Sequence, residues 1–179
     1  MGRRTLLKQT VGIITLILSV LHSAVYAQYV LQPGEAYITR FSGVTTEGAQ
    51  TVLNANGTVA TVVDISSPGQ APQGQQWTNP PQRLPLTATQ IGQVFGIAID
   101  NASPPNIYLS ATSAFGLHRN RDNSDWMNGM WGAGGGPGSV WRLSAANRYT
   151  PELFSNITLN QRHNTGAALG NITYDRWNK

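Results

Sequence analysis

The sequence predicts an all-β protein: an open array of antiparallel strands with long loops rich in glycine and proline, preceded by an N-terminal signal helix. The first observation is composition, because only 11% of the 179 residues are charged, while 19 are glycine and 10 are proline. Low charge with many turn-forming residues is typical of β proteins. The second observation is a repeated strand motif, since residues 92–100 and 166–175 both run from glycine through apolar positions to an aspartate. A repeat unit buries its apolar face only against neighbours, so the second copy predicts a continuing array.

Residues 1–27 have the features of a signal peptide. Basic residues precede a short apolar stretch at 11–21, and small residues stand at the positions that a signal peptidase reads. The apolar stretch is shorter than the ~20 residues that a membrane-spanning helix needs. We therefore expect cleavage between Ala27 and Gln28 and no membrane span in the mature chain. An uncleaved tether is the alternative.

Adjacent arginines indicate the export route. Arg3 and Arg4, followed by Thr-Leu-Leu-Lys, resemble the twin-arginine export signal of bacteria, although paired arginines also occur in ordinary signals. In either case we expect a bacterial protein that is periplasmic or extracellular.

Charge and cysteine content exclude several classes of function. Three of the twelve lysines and arginines lie in the signal peptide, so the mature chain carries nine basic and eight acidic residues and a net charge of +1. Without a basic cluster, the electrostatic footprint of a nucleic-acid-binding protein is missing. The chain has no cysteine, which excludes disulfides, thiolate metal sites and a cysteine nucleophile.

The first two regions of the mature chain differ in composition. Residues 28–65 form an N-terminal β-hairpin region, in which Asn56-Gly57 between β-prone runs predicts a hairpin over Thr51–Ile65. Residues 66–90 form a linker rich in Pro, Gly and Gln, because closely spaced prolines cannot supply strand hydrogen bonds. The linker either lies on the surface or carries a function of its own. Its last residues, Thr87–Gln90, could cap a helical turn.

Residues 91–179 form the repeat region. Alternating residues predict a strand over 95–99, and a second strand at 107–112 follows the turn at Pro104-Pro105. Gly96 would let a neighbouring backbone approach closely, and Asp100 would bind the amides of its own turn. Residues 116–138 are an insertion dominated by turn residues. The expected later strands are Ser139–Leu143 and Ile157–Leu159.

The pair of strands that flanks Asp100 carries a family resemblance. Phe95-Gly-Ile-Ala-Ile-Asp100, followed by Ile107-Tyr-Leu-Ser-Ala, resembles the core of NHL-repeat and gluconolactonase-like β-propellers. The second copy, with Gly170 and Asp175, departs from the first by one extra residue, Asn171. The resemblance implies a partial, open β-propeller of about two blades, too few to close. We expect the chain to be the N-terminal portion of an exported bacterial β-propeller protein, truncated at Lys179.

The residues that suggest chemistry are few. Asp122 and Asp125 are weak candidates for calcium ligands, since the glycine and distal glutamate of an EF-hand are missing, and a solvated loop is the alternative. Trp126 and Trp131 beside a glycine-rich run could stack on a sugar or anchor a protein, or could pack across the insertion. Both mature histidines, His118 and His163, lack a second ligand at zinc spacing, and we expect them to be exposed or hydrogen-bonded loop residues. We predict no catalytic residue, no metal and no cofactor.

The leading functional expectation is a non-catalytic β-propeller segment with an interaction or scaffold role at the cell envelope, whose partner is a protein or a carbohydrate. One alternative is a fragment of a propeller enzyme of the lactonase or quinone-dependent sugar dehydrogenase type. The other is a small self-contained β-sandwich that acts as a binding domain. Fold alone does not decide among them, because propellers carry many unrelated functions.

Overall fold

The computed structural model describes residues 31–66, 82–114, 117–158 and 169–178. The expected signal helix, the cleavage site at Ala27 and Gln28, and most of the linker at 66–90 lie outside the described residues. So do Leu159 and His163.

The described chain is mostly β-strand, its sheets are antiparallel, and none of them closes on itself, as the sequence predicts. The strands are β1 (Glu35–Thr39), β2 (Val44–Glu47), β3 (Gln50–Leu53), β4 (Thr58–Asp64), β5 (Gln82–Thr87), β6 (Val94–Ile99), β7 (Ile107–Ala111), β8 (Ser139–Leu143) and β9 (Glu152–Asn156). One helical turn, α1 (Ala88–Ile91), precedes β6, and a 3₁₀ turn spans Ala145–Asn147. The Thr87 amide donates to Gln90 Oε1 at 2.9 Å, which confirms the helical turn expected there.

Three sheets are present among these residues. The first has the order β1-β4-β5, the second is the two-stranded hairpin β2-β3, and the third is the four-stranded meander β6-β7-β8-β9. Strand β4 is the central strand of the first sheet and is buried along Val59–Val63. A run of consecutive buried apolar residues needs cover on both faces, which favours this central position.

The hairpin predicted over Thr51–Ile65 is wrong. A turn does form, since the Gly57 amide donates to the Asn54 carbonyl at 3.0 Å. However, β3 pairs back with β2, so that Val44 lies opposite Leu53, and β4 pairs with β1 and β5 instead. The physical reason is burial: β3 has one buried residue and suits an exposed hairpin, whereas β4 needs a partner on each side. The turn therefore carries the chain from one sheet into another.

The four-stranded meander contains the expected strand pair. Strands β6 and β7 are antiparallel, with Ala98 opposite Tyr108, and β8 covers the predicted Ser139–Leu143. The strand predicted at Ile157–Leu159 is wrong: the last strand, β9, covers Glu152–Asn156, and Ile157 follows it, its amide donating to the Gly138 carbonyl at 2.7 Å. The pairing of β8 with β9 sets this range, because the ladder runs from Ser139–Asn156 to Arg142–Glu152.

A single hydrophobic cluster lies between the first sheet and one face of the four-stranded meander. Residues from both sides of the linker contribute to it: Tyr37, Leu53, Val59, Ala60, Val62, Leu86, Ala88, Ile91, Val94, Ile107, Leu109, Met130, Trp141, Leu143 and Tyr149. Full burial of one such aliphatic side chain contributes about 1.5–3 kcal/mol. Met130 belongs to the predicted insertion, and its carbonyl accepts from the Gln93 amide at 2.8 Å, so this part of the insertion packs on the core.

Candidate functional site

The second face of the four-stranded meander is covered by the segment 169–178. Successive strand residues point to opposite faces, so Tyr108 and Ser110 lie on the side away from the buried Ile107 and Leu109. The Ser110 hydroxyl donates to the Gly170 carbonyl at 2.9 Å. Farther along, the Tyr174 hydroxyl donates to Asn101 Oδ1 at 2.8 Å. We call this side of the meander the outer face.

The segment approaches the outer face closely at Gly96. A Cβ atom at Gly96 would lie 2.8 Å from the Gly170 oxygen and 2.9 Å from the Ile172 nitrogen, closer than real Cβ contacts allow. The prediction that Gly96 admits a neighbouring backbone is confirmed. At Gly170 the same added atom would meet nothing within 4 Å. The two glycines of the repeat therefore play different roles.

The two repeat aspartates both hold the turn that follows them. Asp100 Oδ1 accepts from the amides of Ala102 and Asn106, and its Oδ2 accepts from the Asn106 side chain at 2.6 Å. This confirms the predicted role of Asp100. Asp175 Oδ1 accepts from the amides of Trp177 and Asn178, and its Oδ2 accepts from the Asn178 side chain at 2.7 Å.

These bonds act on the acidity of both carboxyl groups. Burial by itself would raise the pKa of Asp100, but the bonds from Asn106, Ala102 and Tyr108 outweigh it and lower the pKa. The pKa of exposed Asp175 is also lowered, chiefly by the Asn178 side chain and then by the two backbone amides. Both carboxylates are therefore ionised at neutral pH.

A cleft of about 380 Å³ opens between the outer face and the segment. Its lining residues are Ala98, Tyr108, Val140, Phe154, Ile172, Thr173, Tyr174, Asp175 and Asn178. The Tyr108 and Phe154 rings meet edge to face, with centroids 5.1 Å apart and planes at 74°. The Arg142 guanidinium lies 5.4 Å from the Phe154 ring centroid and pairs with Glu152, whose Oε1 accepts from Nε at 2.7 Å.

Strand β9 forms one edge of the meander. Among the described residues its one sheet partner is β8, so no described strand pairs with its other side, which we call the β9 edge. Three large apolar side chains at or beside this edge are about half exposed: Leu153, Phe154 and Ile157. An open edge with exposed apolar residues is a surface prone to pairing with another strand.

The candidate calcium ligands Asp122 and Asp125 each serve a local turn. Asp122 Oδ1 accepts from the amide and hydroxyl of Ser124, the latter at 2.6 Å, and Asp125 Oδ1 accepts from the Trp126 amide at 2.7 Å. Within the described ranges, no group of three or more acidic, histidine or cysteine side chains is placed to hold a metal ion. Asp122 also lines a wide polar groove with Arg121 and Thr51.

Trp126 and Trp131 pack against each other and against the core. Their rings meet edge to face at 5.8 Å between centroids, and the Arg119 guanidinium lies 4.6 Å from the Trp126 ring centroid. Both are half-buried and contact the hydrophobic cluster. They do not line the cleft. Packing, which the sequence favours over a binding role for these tryptophans, describes their place in the fold.

His118, expected to be exposed or hydrogen-bonded in a loop, is buried with 8% of its surface accessible. Its ring lies 5.9 Å from that of Phe41, and its Nδ1 has no hydrogen-bond partner among the described residues. Burial lowers the pKa of His118, against a smaller opposing effect from the Gly43 backbone. The imidazole is therefore held neutral.

Sequence reasoning did not single out Tyr108, Phe154 and Tyr174 as a group. The only local signal was the alternation in β7, which places Tyr108 opposite the core-facing residues. Phe154 and Tyr174 join it through sheet pairing and through the return of the segment across the outer face.

No helix of the described chain has the length and apolar character needed to cross a bilayer. No protein-family model, no curated protein and no solved structure matches the chain.

Proposed function

We propose that this chain is an exported, non-catalytic module of the β-propeller type, with an interaction or scaffold role at the bacterial cell envelope. The observation that carries the proposal is the stacking of the segment 169–172 on the outer face at Gly96. Propeller blades are four-stranded antiparallel sheets stacked face to face around an axis. The segment carries the second copy of the strand motif, and its position against the outer face supports the proposal that a neighbouring blade would begin there.

The aspartate turns support the same proposal. Asp100 ends the first strand of the meander and holds the turn that leads into β7. Asp175 ends the second motif copy and binds a backbone amide two residues ahead and an asparagine side chain, as Asp100 does. Two copies of a motif that make the same local bonds are expected of consecutive repeat units.

The interaction role rests on the open edge of β9. No described strand occupies this side of β9, so it can receive an additional strand, and Leu153 and Ile157 offer apolar surface beside it. The partner that fits is a protein that presents an extended segment or a sheet edge. The envelope location rests on the signal-peptide features of residues 1–27.

The test is cross-linking in the native host followed by fractionation. We expect the tagged full chain to leave the cytoplasm and to form a discrete cross-linked complex with an envelope protein. Leu153→Lys places a charge on the edge and should abolish that complex. Val44→Lys, at an exposed site on β2, is the matched control and should leave it intact. Retention in the cytoplasm, or a complex indifferent to Leu153→Lys, would refute the proposal.

A further inference from the structure

We propose that the cleft between the outer face and the segment 169–178 binds a small organic cation that carries a methylated ammonium group. The walls of the cleft combine three aromatic residues with one carboxylate. This inference goes beyond the interaction role and does not depend on it, because the cleft is formed within the described chain. Phe154 of β9 lines the cleft, but Leu153, on which the test of the interaction role depends, does not.

The aromatic residues supply the first part of the argument. Tyr108, Phe154 and Tyr174 all line the cleft, and the first two stand nearly at right angles. The faces of aromatic rings carry negative charge density and attract cations within about 6 Å of the centroid. The Tyr108 and Phe154 rings contact each other edge to face on the meander, and Tyr174 adds a third ring from the facing segment, so both walls of the cleft carry aromatic surface. Phe154 is 53% exposed, so a ligand has access to it.

Charge supplies the second part. Asp175 lines the cleft and is ionised, and Asp100 accepts from the Tyr108 hydroxyl on the same wall. None of the described lining residues is basic. Arg142 also lies on this face: its guanidinium is 5.4 Å from the Phe154 ring centroid and pairs with Glu152. Because the charge of Arg142 is paired, Asp100 and Asp175 leave an excess of negative charge beside the cleft.

The hydrogen bonds that the lining residues already make favour a methylated ammonium over a sugar as the ligand. The Tyr174 hydroxyl donates to Asn101, the Tyr108 hydroxyl donates to Asp100, and the Asn178 side-chain amide donates to Asp175. A sugar needs several free donors and acceptors, and here most of the polar groups are already paired. A methylated ammonium needs none, since it binds through its charge and its methyl surface. The volume of about 380 Å³ lies in the range of small-molecule sites, ~300–1,000 Å³.

The experiment titrates the purified full chain with choline chloride and follows binding by calorimetry and by amide NMR shifts. The comparison ligand is the neutral isostere of choline in which carbon replaces nitrogen, and maltose tests for a sugar site. We expect saturable choline binding, with the isostere weaker by about tenfold or more. Maltose should give no saturable signal.

Variants assign the binding to the cleft. Phe154→Leu should weaken choline binding about tenfold, and Phe154→Trp should restore it, because the replacement keeps an aromatic face. Asp175→Asn should weaken binding several-fold without removing it. Trp177→Leu is the control, since Trp177 is 80% exposed, stacks with Arg176 and does not line the cleft. Each variant is first shown to melt at the wild-type temperature.

Four results would overturn the inference: no saturable choline binding, equal affinity for the neutral isostere, preference for maltose, or the same loss in Trp177→Leu as in Phe154→Leu. The Leu153→Lys edge variant separates this inference from the proposed function. It should lose the envelope complex and keep choline binding.

Discussion

The carbonyl oxygen of Gly170 lies where a side chain at Gly96 would have to be. The Ser110 hydroxyl holds that carbonyl at 2.9 Å, so the segment cannot retreat from the sheet without losing the bond. The contact between two backbones thus depends on the absence of one methyl group.

Gly96→Ala should detach the segment from the outer face. The added methyl would overlap both Gly170 and Ser110, and overpacking of this kind costs about 1–3 kcal/mol. We expect lower urea stability and faster tryptic cleavage after Arg176. Gly170→Ala is the matched control, because the new methyl meets open space there, and its effect should stay within about 0.5 kcal/mol. Equal behaviour of the two variants would contradict the assignment.

Asp100→Ala should destabilise the turn between β6 and β7. The change removes the acceptor for two backbone amides and the Asn106 side chain, which predicts a loss of about 1–3 kcal/mol at neutral pH. Because the pKa of Asp100 is lowered on folding, its contribution is complete above the unfolded value of 3.8 and is lost as pH falls through the lower folded value. Wild type and variant should therefore converge in acid.

Urea denaturation at several pH values measures that convergence. Glu47→Ala, at an exposed position on β2, serves as the control and should change stability by less than about 0.5 kcal/mol. If the difference in the free energy of unfolding between wild type and Asp100→Ala stayed constant down to the lowest pH measured, the charged carboxylate would not be the source of the stabilisation.

His118 should make folding sensitive to mild acid. Burial lowers the pKa of His118 below the unfolded value of 6.5, so the unfolded chain binds a proton first and stability falls as pH drops through that value. His118→Asn removes the titration, and asparagine tolerates the positive φ of 65° at this position. Between about pH 7.5 and about pH 5.5, the melting temperature should fall less in this variant than in wild type. A pH profile for His118→Asn that runs parallel to that of wild type would contradict the prediction.

Tyr37 and Tyr149 form a matched pair of buried hydroxyls. The Tyr37 hydroxyl has no hydrogen-bond partner among the described residues, whereas the Tyr149 hydroxyl donates to the Pro105 carbonyl at 3.3 Å. An unpaired buried polar group is unfavourable, so Tyr37→Phe should raise the free energy of unfolding by about 1 kcal/mol. Tyr149→Phe should lower it by about 0.5–1.5 kcal/mol. Chemical denaturation measures both, and a loss of stability in Tyr37→Phe would show that its hydroxyl is paired after all.

The features that could be predicted from the sequence are those determined by residues close together in the chain. The alternation of Phe95–Ile99 and the turn before Ile107 were enough to predict β6 and β7, and Gly96 and Asp100 followed from the same local pattern. The partner of β4 was not predictable in this way. Asn56-Gly57 predicts a turn correctly, but which strands pair depends on burial of Val59–Val63 against residues far away in the sequence.

The cleft could not be predicted from the sequence for the same reason. Tyr108, Phe154 and Tyr174 lie in three separate segments, and only the pairing of β7 with β8 and β9 and the stacking of the segment bring them to one place. A carboxylate such as Asp175 also appears identical in sequence whether it faces solvent or an aromatic wall.

The shared hydrophobic cluster also dictates an order of events during synthesis. Val59 and Val62 leave the ribosome early, yet they pack with Trp141 and Leu143, which are added about eighty residues later. Until Leu143 has emerged, the apolar surface of β4 has no complete cover. While residues 63–143 are being added, the nascent chain therefore carries apolar surface that can associate with other chains.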